Sequence, residues 1–177
     1  MLNHSEIRDL MRHVYTLAEL STDLSTNNGA ILIDERLWVP GQKPAFAILA
    51  EGFNAHLPGY EEHPQAHERP FKYSVTEHAE RAVIYNAAYN GVCTRGLTMI
   101  ANWVACPDCA RAIVLPGLKR VICHKACMDR TPERWAEMVA LGLSMCEHNT
   151  ANIVPVMQWE GEVGDVDNLN NGEIWTP

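Results

Sequence analysis

The sequence has 177 residues, enough for one domain with a sizeable core, and 47% of them are hydrophobic, which argues against a disordered chain. The net charge is −8, which argues against a nucleic-acid polymer as partner, because such a partner needs a basic patch to neutralise its phosphates. No apolar run approaches the roughly 20 residues of a membrane helix, and the first ten residues lack a signal-peptide core, so a cytoplasmic protein with no membrane partner is expected.

Ile7, Leu10, Met11, Val14 and Leu17 recur at three- and four-residue spacings and predict an amphipathic helix over 6–20, with Ser5 as N-cap. Residues 21–28 are rich in Ser, Thr, Asn and Asp and read as a loop, and 29–33 as a short apolar strand. Pro40, Gly41 and Pro44 mark 34–44 as a long connection, and a second strand is expected over 45–53, ending in Asn54. Residues 55–72 carry Pro58, Gly59, Pro64 and Pro70 with His56, His63 and His67. That stretch is expected to be irregular and exposed, and loops of this length are usually functional or mobile.

A central helix is predicted over 76–90, capped by Thr76, lined by Ala79, Val83 and Ala87, and ended by Gly91. A strand follows over 97–104. Pro107 suits the first turn of a helix running to about Leu115, which Pro116-Gly117 breaks. A strand over 120–124 precedes a helix over 132–147 with Trp135, Met138, Val139 and Leu143 turned inward. The last strand is expected over 152–158, and 161–177 as an irregular polar tail of a single domain spanning 1–177. Strand–helix alternation implies a mostly parallel, helix-covered sheet.

Two short stretches concentrate the chemistry, Glu77-His78-Ala79-Glu80 and Cys106-Pro107-Asp108-Cys109. Six cysteines in a chain of this kind read as metal ligands or buried thiols before disulfides. His78, Cys106 and Cys109 can close on one zinc ion and leave its fourth position for water, the mark of a catalytic rather than a structural site. The helix start at Pro107 favours thiolates at both cysteines. Glu80, two residues after His78, points elsewhere and is free to handle protons. A Cys-x-x-Cys pair alone also fits a redox centre or half a structural site; joined to an upstream His-x-Glu it has the pattern of a zinc deaminase.

The run His78-Ala79-Glu80, then Asn86-Ala87-Ala88-Tyr89-Asn90-Gly91, then Cys106-Pro107-Asp108-Cys109-Ala110-Arg111-Ala112-Ile113 resembles the deoxycytidylate deaminases, including the phage type. Leu118-Lys119-Arg120-Val121 continues the likeness. Residues 23–30 resemble that family's loop into its first strand, and Gly52-Phe53-Asn54 its Gly-Tyr-Asn turn. The resemblance covers roughly residues 5–155 and implies a three-layer α/β/α sandwich on a five-stranded mixed sheet. It implies one catalytic zinc per chain on His78, Cys106 and Cys109, with Glu80 as the proton-transferring catalytic residue. Asn54, Ala79, Trp103 and Ala105 are then expected at the substrate. The chain departs from the pattern at Ala105, usually Pro, and at Arg81-Ala82, usually Leu-Asn or Arg-Asn; neither removes a ligand.

The implied reaction is hydrolysis of dCMP to dUMP and ammonia, with dCTP as a second candidate for which Mg²⁺ would be the charge partner. Relatives of this kind are commonly hexamers. Other readings stay open: tRNA adenosine or a riboflavin-pathway pyrimidine as substrate, or a non-catalytic zinc module, against which Glu80 weighs. Asn54 also fits a turn residue, and Trp103 a core residue. Lys43, Arg69, Lys72, Arg111 and Lys125 are candidate phosphate contacts or solvated surface charges. Cys123, His124 and Cys127 fit a second metal or buried packing. His56, His63 and His67 could hold a further zinc. Cys93 and Cys146 read as packing residues, and Met138 and Met145 as core filler.

Overall fold

The computed structural model describes residues 2–39 and 47–177. Lys43, one of the candidate cations, therefore lies outside the described residues.

The centre of the molecule is a five-stranded sheet in the order β2-β1-β5-β6-β7. Its strands are β1 (Gly29–Ile33), β2 (Ile48–Phe53), β5 (Thr98–Ala101), β6 (Arg120–His124) and β7 (Val156–Trp159). β1 runs antiparallel to both β2 and β5, while β5, β6 and β7 are parallel. The expectation of a mostly parallel sheet thus holds for one half only. A parallel pair of neighbours needs a crossover connection, usually a helix, whereas the antiparallel pair β1 and β2 needs none. The mixed five-stranded sheet is the one implied by the resemblance.

Both faces of the sheet are covered, so its central strands are mostly apolar, and their side chains alternate between two cores. Ala30, Leu32, Met99, Ala101, Val121 and Cys123 face one side, and Ile31, Ile33, Ile100 and Ile122 the other. Helix α1 (His4–Ala18) fills the second core with Ile7, Leu10, Met11, Val14 and Leu17. The first core is filled from α3 (Ala79–Tyr89), α4 (Pro107–Val114) and α6 (Glu133–Glu147). Gly52 allows this packing: a Cβ there would lie 2.5 Å from the backbone nitrogen of Val83. α3 can therefore rest directly on β2.

Several boundaries differ from the sequence reading. The N-cap of α1 is Asn3, whose side chain accepts the Glu6 N–H while Glu6 returns a bond to Asn3; Ser5 instead donates to Asn3. α3 begins at Ala79, because Thr76 belongs to β4 (Thr76–Glu77), which pairs with β3 (Ala55–His56). The segment 55–72 is not exposed throughout, since His56, Ala66 and Lys72 are buried; it leads into the single turn α2 (Lys72–Val75). Residues 161–177 are irregular only in part: 161–167 form no helix or strand, but β8 (Asn168–Asn170) and β9 (Glu173–Trp175) form a hairpin with left-handed residues Asn171 and Gly172 at its tip. Met138 is 43% exposed and Cys93 is exposed, so neither packs in the core as expected, whereas Cys146 does.

The short helix α5 (Lys125–Met128) follows β6 directly. Cys123 and Cys127 are buried, and burial pushes each thiol up to about 12. His124 is fully engaged, with Nδ1 2.7 Å from the Tyr15 hydroxyl and Nε2 2.9 Å from the Gly161 carbonyl. These three residues are packing and network groups, not ligands. Among the described residues no helix is long and apolar enough to cross a membrane.

Candidate active site

The residues marked by their chemistry meet at the start of two neighbouring helices. His78 is the N-cap of α3 and Cys106 the N-cap of α4, so each side chain projects from the last extended residue before a helix. Pro107 occupies the first turn of α4, where its missing N–H costs nothing, and Cys109 sits one turn on. The three ligand atoms form a triangle: Cys106 Sγ to Cys109 Sγ, and each sulfur to His78 Nδ1, is 3.5 Å. A tetrahedral zinc with bonds of about 2.3 Å to sulfur and 2.0–2.1 Å to nitrogen has edges of about 3.5–3.8 Å, so the triangle has the size that ion needs. Among the described residues this is the one cluster of three such groups. Both cysteines are buried.

The electrostatics of the triangle favour a cation. The hydrogen bond between the two sulfurs holds Cys106 down to about 4, aided by His78, while Cys109 is pushed well above its ordinary value. Burial opposes protonation of His78, but its bond to the Cys106 sulfur and the charge of Glu80 outweigh that and raise it. Glu80, in the first turn of α3, is 1% exposed, and its Oε1 has no hydrogen-bond partner. Burial raises its carboxyl to about 7, against the pull of His78. A buried carboxylate oxygen without a partner is expensive unless something else comes to meet it.

The two ligand-bearing helices are locked together. Arg81 pairs with Glu77 and reaches Asp108 at 3.3 Å, tying the turn before α3 to the first turn of α4. Arg81 therefore serves as a brace between the two ligand-bearing turns. Gly142 of α6 lies against the cysteine turn, where a Cβ would sit 2.0 Å from the Ala105 carbonyl oxygen.

A cavity opens beside His78, and Trp103, Trp135, Tyr73 and Thr76 line this end of it. Trp135 meets three rings edge-on: Tyr73 at 5.6 Å, His78 at 6.4 Å and Trp103 at 6.5 Å. Trp103 donates from its indole to Thr131 Oγ1 at 2.9 Å, so of its two readings the structure favours the wall. Asn54 also lines the cavity, but its side chain is committed. Oδ1 accepts the Asn28 N–H at 2.7 Å, and Nδ2 donates to the Thr26 carbonyl at 2.8 Å. The free acceptor is its neighbour: Asn28 Oδ1 is buried without a partner and lines the same cavity. Ala79 and Ala105 are buried in the core beside the ligands, and their side chains do not line the cavity.

The candidate cations divide. Arg69 and Lys72 line the cavity, whereas Arg111 pairs with Asp108 and Lys125 with Asp129 on the surface. Lys72 is buried and bonds Asp23 at 2.7 Å and Ser25 at 2.8 Å. His56, His63 and His67 do not converge as three ligands. His56 bonds Thr76 and His67, while His63 stacks on Phe71. The sequence reading missed Tyr73, Asn28, Arg130, Arg134 and the tip of the β8–β9 hairpin, and it assigned Trp135 to the core. They come from segments far apart in the chain and no local spacing marks them.

The family model of the cytidine and deoxycytidylate deaminase zinc-binding region matches residues 4–125. An uncharacterized deaminase from the luxG 3′ region of Aliivibrio fischeri is 29% identical over 141 residues, covering 76% of this chain and 84% of that protein. The deoxycytidylate deaminase of Enterobacteria phage T2 is 32% identical over 84 residues, covering 47% of this chain and 41% of the phage enzyme's own length. The crystal structure of dCMP deaminase from the cyanophage S-TIM5, in complex with dCMP and dUMP, superposes with a TM-score of 0.61 at 19% identity. That superposition covers 89% of this chain and all of the cyanophage chain, and shows a shared fold.

Proposed function

This chain belongs to the cytidine and deoxycytidylate deaminase family, and on that premise we propose that it hydrolyses a cytosine deoxynucleotide, converting dCMP to dUMP and ammonia. One observation carries the reading. The buried Glu80 carboxylate, with an oxygen left free, shares its surroundings with a His78–Cys106–Cys109 triangle sized for a single zinc ion. A structural site has no use for such a group.

In this reading His78, Cys106 and Cys109 hold the metal. Zinc bound there supplies a Lewis acid that activates water near neutral pH. Glu80, poised at about 7, takes one proton from water and passes it to N3 of the ring, then takes the proton of the new C4 hydroxyl and gives it to the departing amino group. A C4–O bond forms, the C4–N bond breaks, and ammonia leaves. Trp103, Trp135 and Tyr73 flank the flat base and exclude water from it. Asn28 Oδ1 accepts a hydrogen bond from the nucleotide, and Asn54 holds the loop that presents it. Ala79 and Ala105 offer backbone groups beside the ligands to the edge of the base.

The choice of dCMP draws on the likeness to the phage T2 enzyme and to the cyanophage structure. Two further parts rest on the resemblance alone: a homo-hexamer, and Mg²⁺ as charge partner if dCTP is also used. Light scattering tests the first, and magnesium dependence of dCTP turnover the second. The test of the whole is to incubate the zinc-loaded protein with cytidine, CMP, dCMP, dCTP and 5-methyl-dCMP and follow absorbance loss and ammonia. Fastest turnover of dCMP is expected. One zinc per chain with no ammonia from any of them would refute the reading.

A further inference from the structure

The charge of the cavity is opposite to that of the chain. Four cations line it, Arg69, Lys72, Arg130 and Arg134, against the single carboxylate of Asp23, in a chain of net charge −8. Lys72 and Asp23 neutralise each other at 2.7 Å. The three arginines have no carboxylate partner among the described residues. Away from the cavity Arg12, Arg36, Arg81, Arg111, Arg120 and Lys125 are paired, and the two arginines without a carboxylate partner among the described residues, Arg8 and Arg95, are not part of its lining. Unpaired guanidinium groups gathered at one cavity make a site for an anion, above all a phosphate, whose oxygens they can bridge.

Two of these arginines are set by the β8–β9 hairpin. Arg130 lies with its guanidinium carbon 4.2 Å from the centre of the Trp175 ring, a cation–π contact. Arg134 donates to Asn171 Oδ1 at 2.8 Å. The hairpin is itself stitched to the 25–28 loop of the cavity. Asn27 N–H bonds the Leu169 carbonyl and Gly172 N–H the Ser25 carbonyl, both at 2.8 Å; the Asn168 side chain bonds the Asn27 carbonyl at 3.0 Å. Behind it, Trp175 stacks on His124 with ring centres 6.1 Å apart. The hairpin is therefore a built wall of the cavity.

We infer that the β8–β9 hairpin is a phosphate clamp, holding Arg130 and Arg134 so that the cavity selects a 5′-phosphorylated nucleoside over the bare nucleoside. This rests on the nucleotide reading above and locates its phosphate specificity in a segment outside the matched deaminase region. Asn171 acts as a positioning residue through Arg134. Both arginines are exposed, so their replacement leaves the core intact.

The test is the ratio of kcat/KM for dCMP to that for 2′-deoxycytidine in Arg130→Met, Arg134→Met and the double variant. Each arginine is expected to contribute about tenfold, so the double variant should lose about 100-fold of the preference. Asn171→Ala should raise KM for dCMP several-fold while kcat stays near its starting value. Equal losses on both substrates, or an unmoved ratio, would overturn the clamp. Equilibrium titration with AMP separates it from the base assignment. If the protein turns over no cytosine nucleotide, weaker AMP binding by the double variant still upholds the clamp, whereas equal affinity, or no AMP binding by either protein, rejects it.

Discussion

The cavity has two ends, and they are held in place by different means. At one end His78, Cys106, Cys109 and Glu80 sit at the starts of α3 and α4, buried against the sheet and braced by Arg81 and by the close approach of α6 at Gly142. At the other, Arg130 and Arg134 reach in from exposed positions and are held by a short hairpin through one ring contact and one side-chain bond. The first end carries charges that must be desolvated to work, and only a rigid core holds such groups apart from water. The second meets a phosphate that arrives with its own charge, so exposed cations suffice and precision comes from a few contacts.

If this contrast is right, damage at the two ends has different signatures. The largest effect should come from removing metal. Chelation of the holoenzyme is expected to abolish ammonia release and lower the melting temperature, because three buried ligands lose their common partner. Both should return on adding zinc back, and turnover that survives complete zinc removal by elemental analysis would break the contrast. Next is Lys72→Met, which strands Asp23 as a buried charge and should cost about 3–5 kcal/mol in denaturant unfolding. Zinc content should stay at one per chain, since the damage lies in the cavity loop. Gly142→Ala should cost about 1–3 kcal/mol and weaken zinc binding, because the added methyl pushes on the cysteine turn. A zinc affinity equal to that of the parent in a competition titration would argue against that path.

The smallest effect belongs to neither end and serves as a control. Glu35 bonds Thr98 and pairs with Arg120 at 2.8 Å. Although burial raises its carboxyl, these partners outweigh burial and hold it below the ordinary value. A carboxyl depressed in the folded state contributes stability above its unfolded value of 4.5, and loses it as pH falls through the folded one. Glu35→Gln should therefore flatten the acid side of the stability curve while leaving the dCMP preference untouched. A changed preference would mean that the starts of β5 and β6 and the cavity are coupled.

The same contrast decides what could be read from the sequence. The metal end was legible because its ligands are two local motifs, each next to a helix start that sets their geometry. The strands over 29–33 and 120–124 were legible as short runs between turn signals. The order of the strands was not, because nothing local states that β1 lies between β2 and β5. Thr76 looked like a cap and is a strand residue, since pairing with His56 wins over capping. Asn54 was found for its neighbourhood, but the free acceptor is Asn28, a distinction that only the bonding of both side chains reveals. The hairpin end was illegible: its polar residues lack periodicity, and its value lies in what Trp175 and Asn171 touch in space.

Glu80→Gln addresses the account's centre most directly. Zinc per chain by elemental analysis and ammonia released from dCMP should be measured on the same preparation. The account predicts one zinc, parental melting temperature and turnover lowered by about 10²–10⁴-fold or more. Near-parental turnover with zinc retained would contradict it.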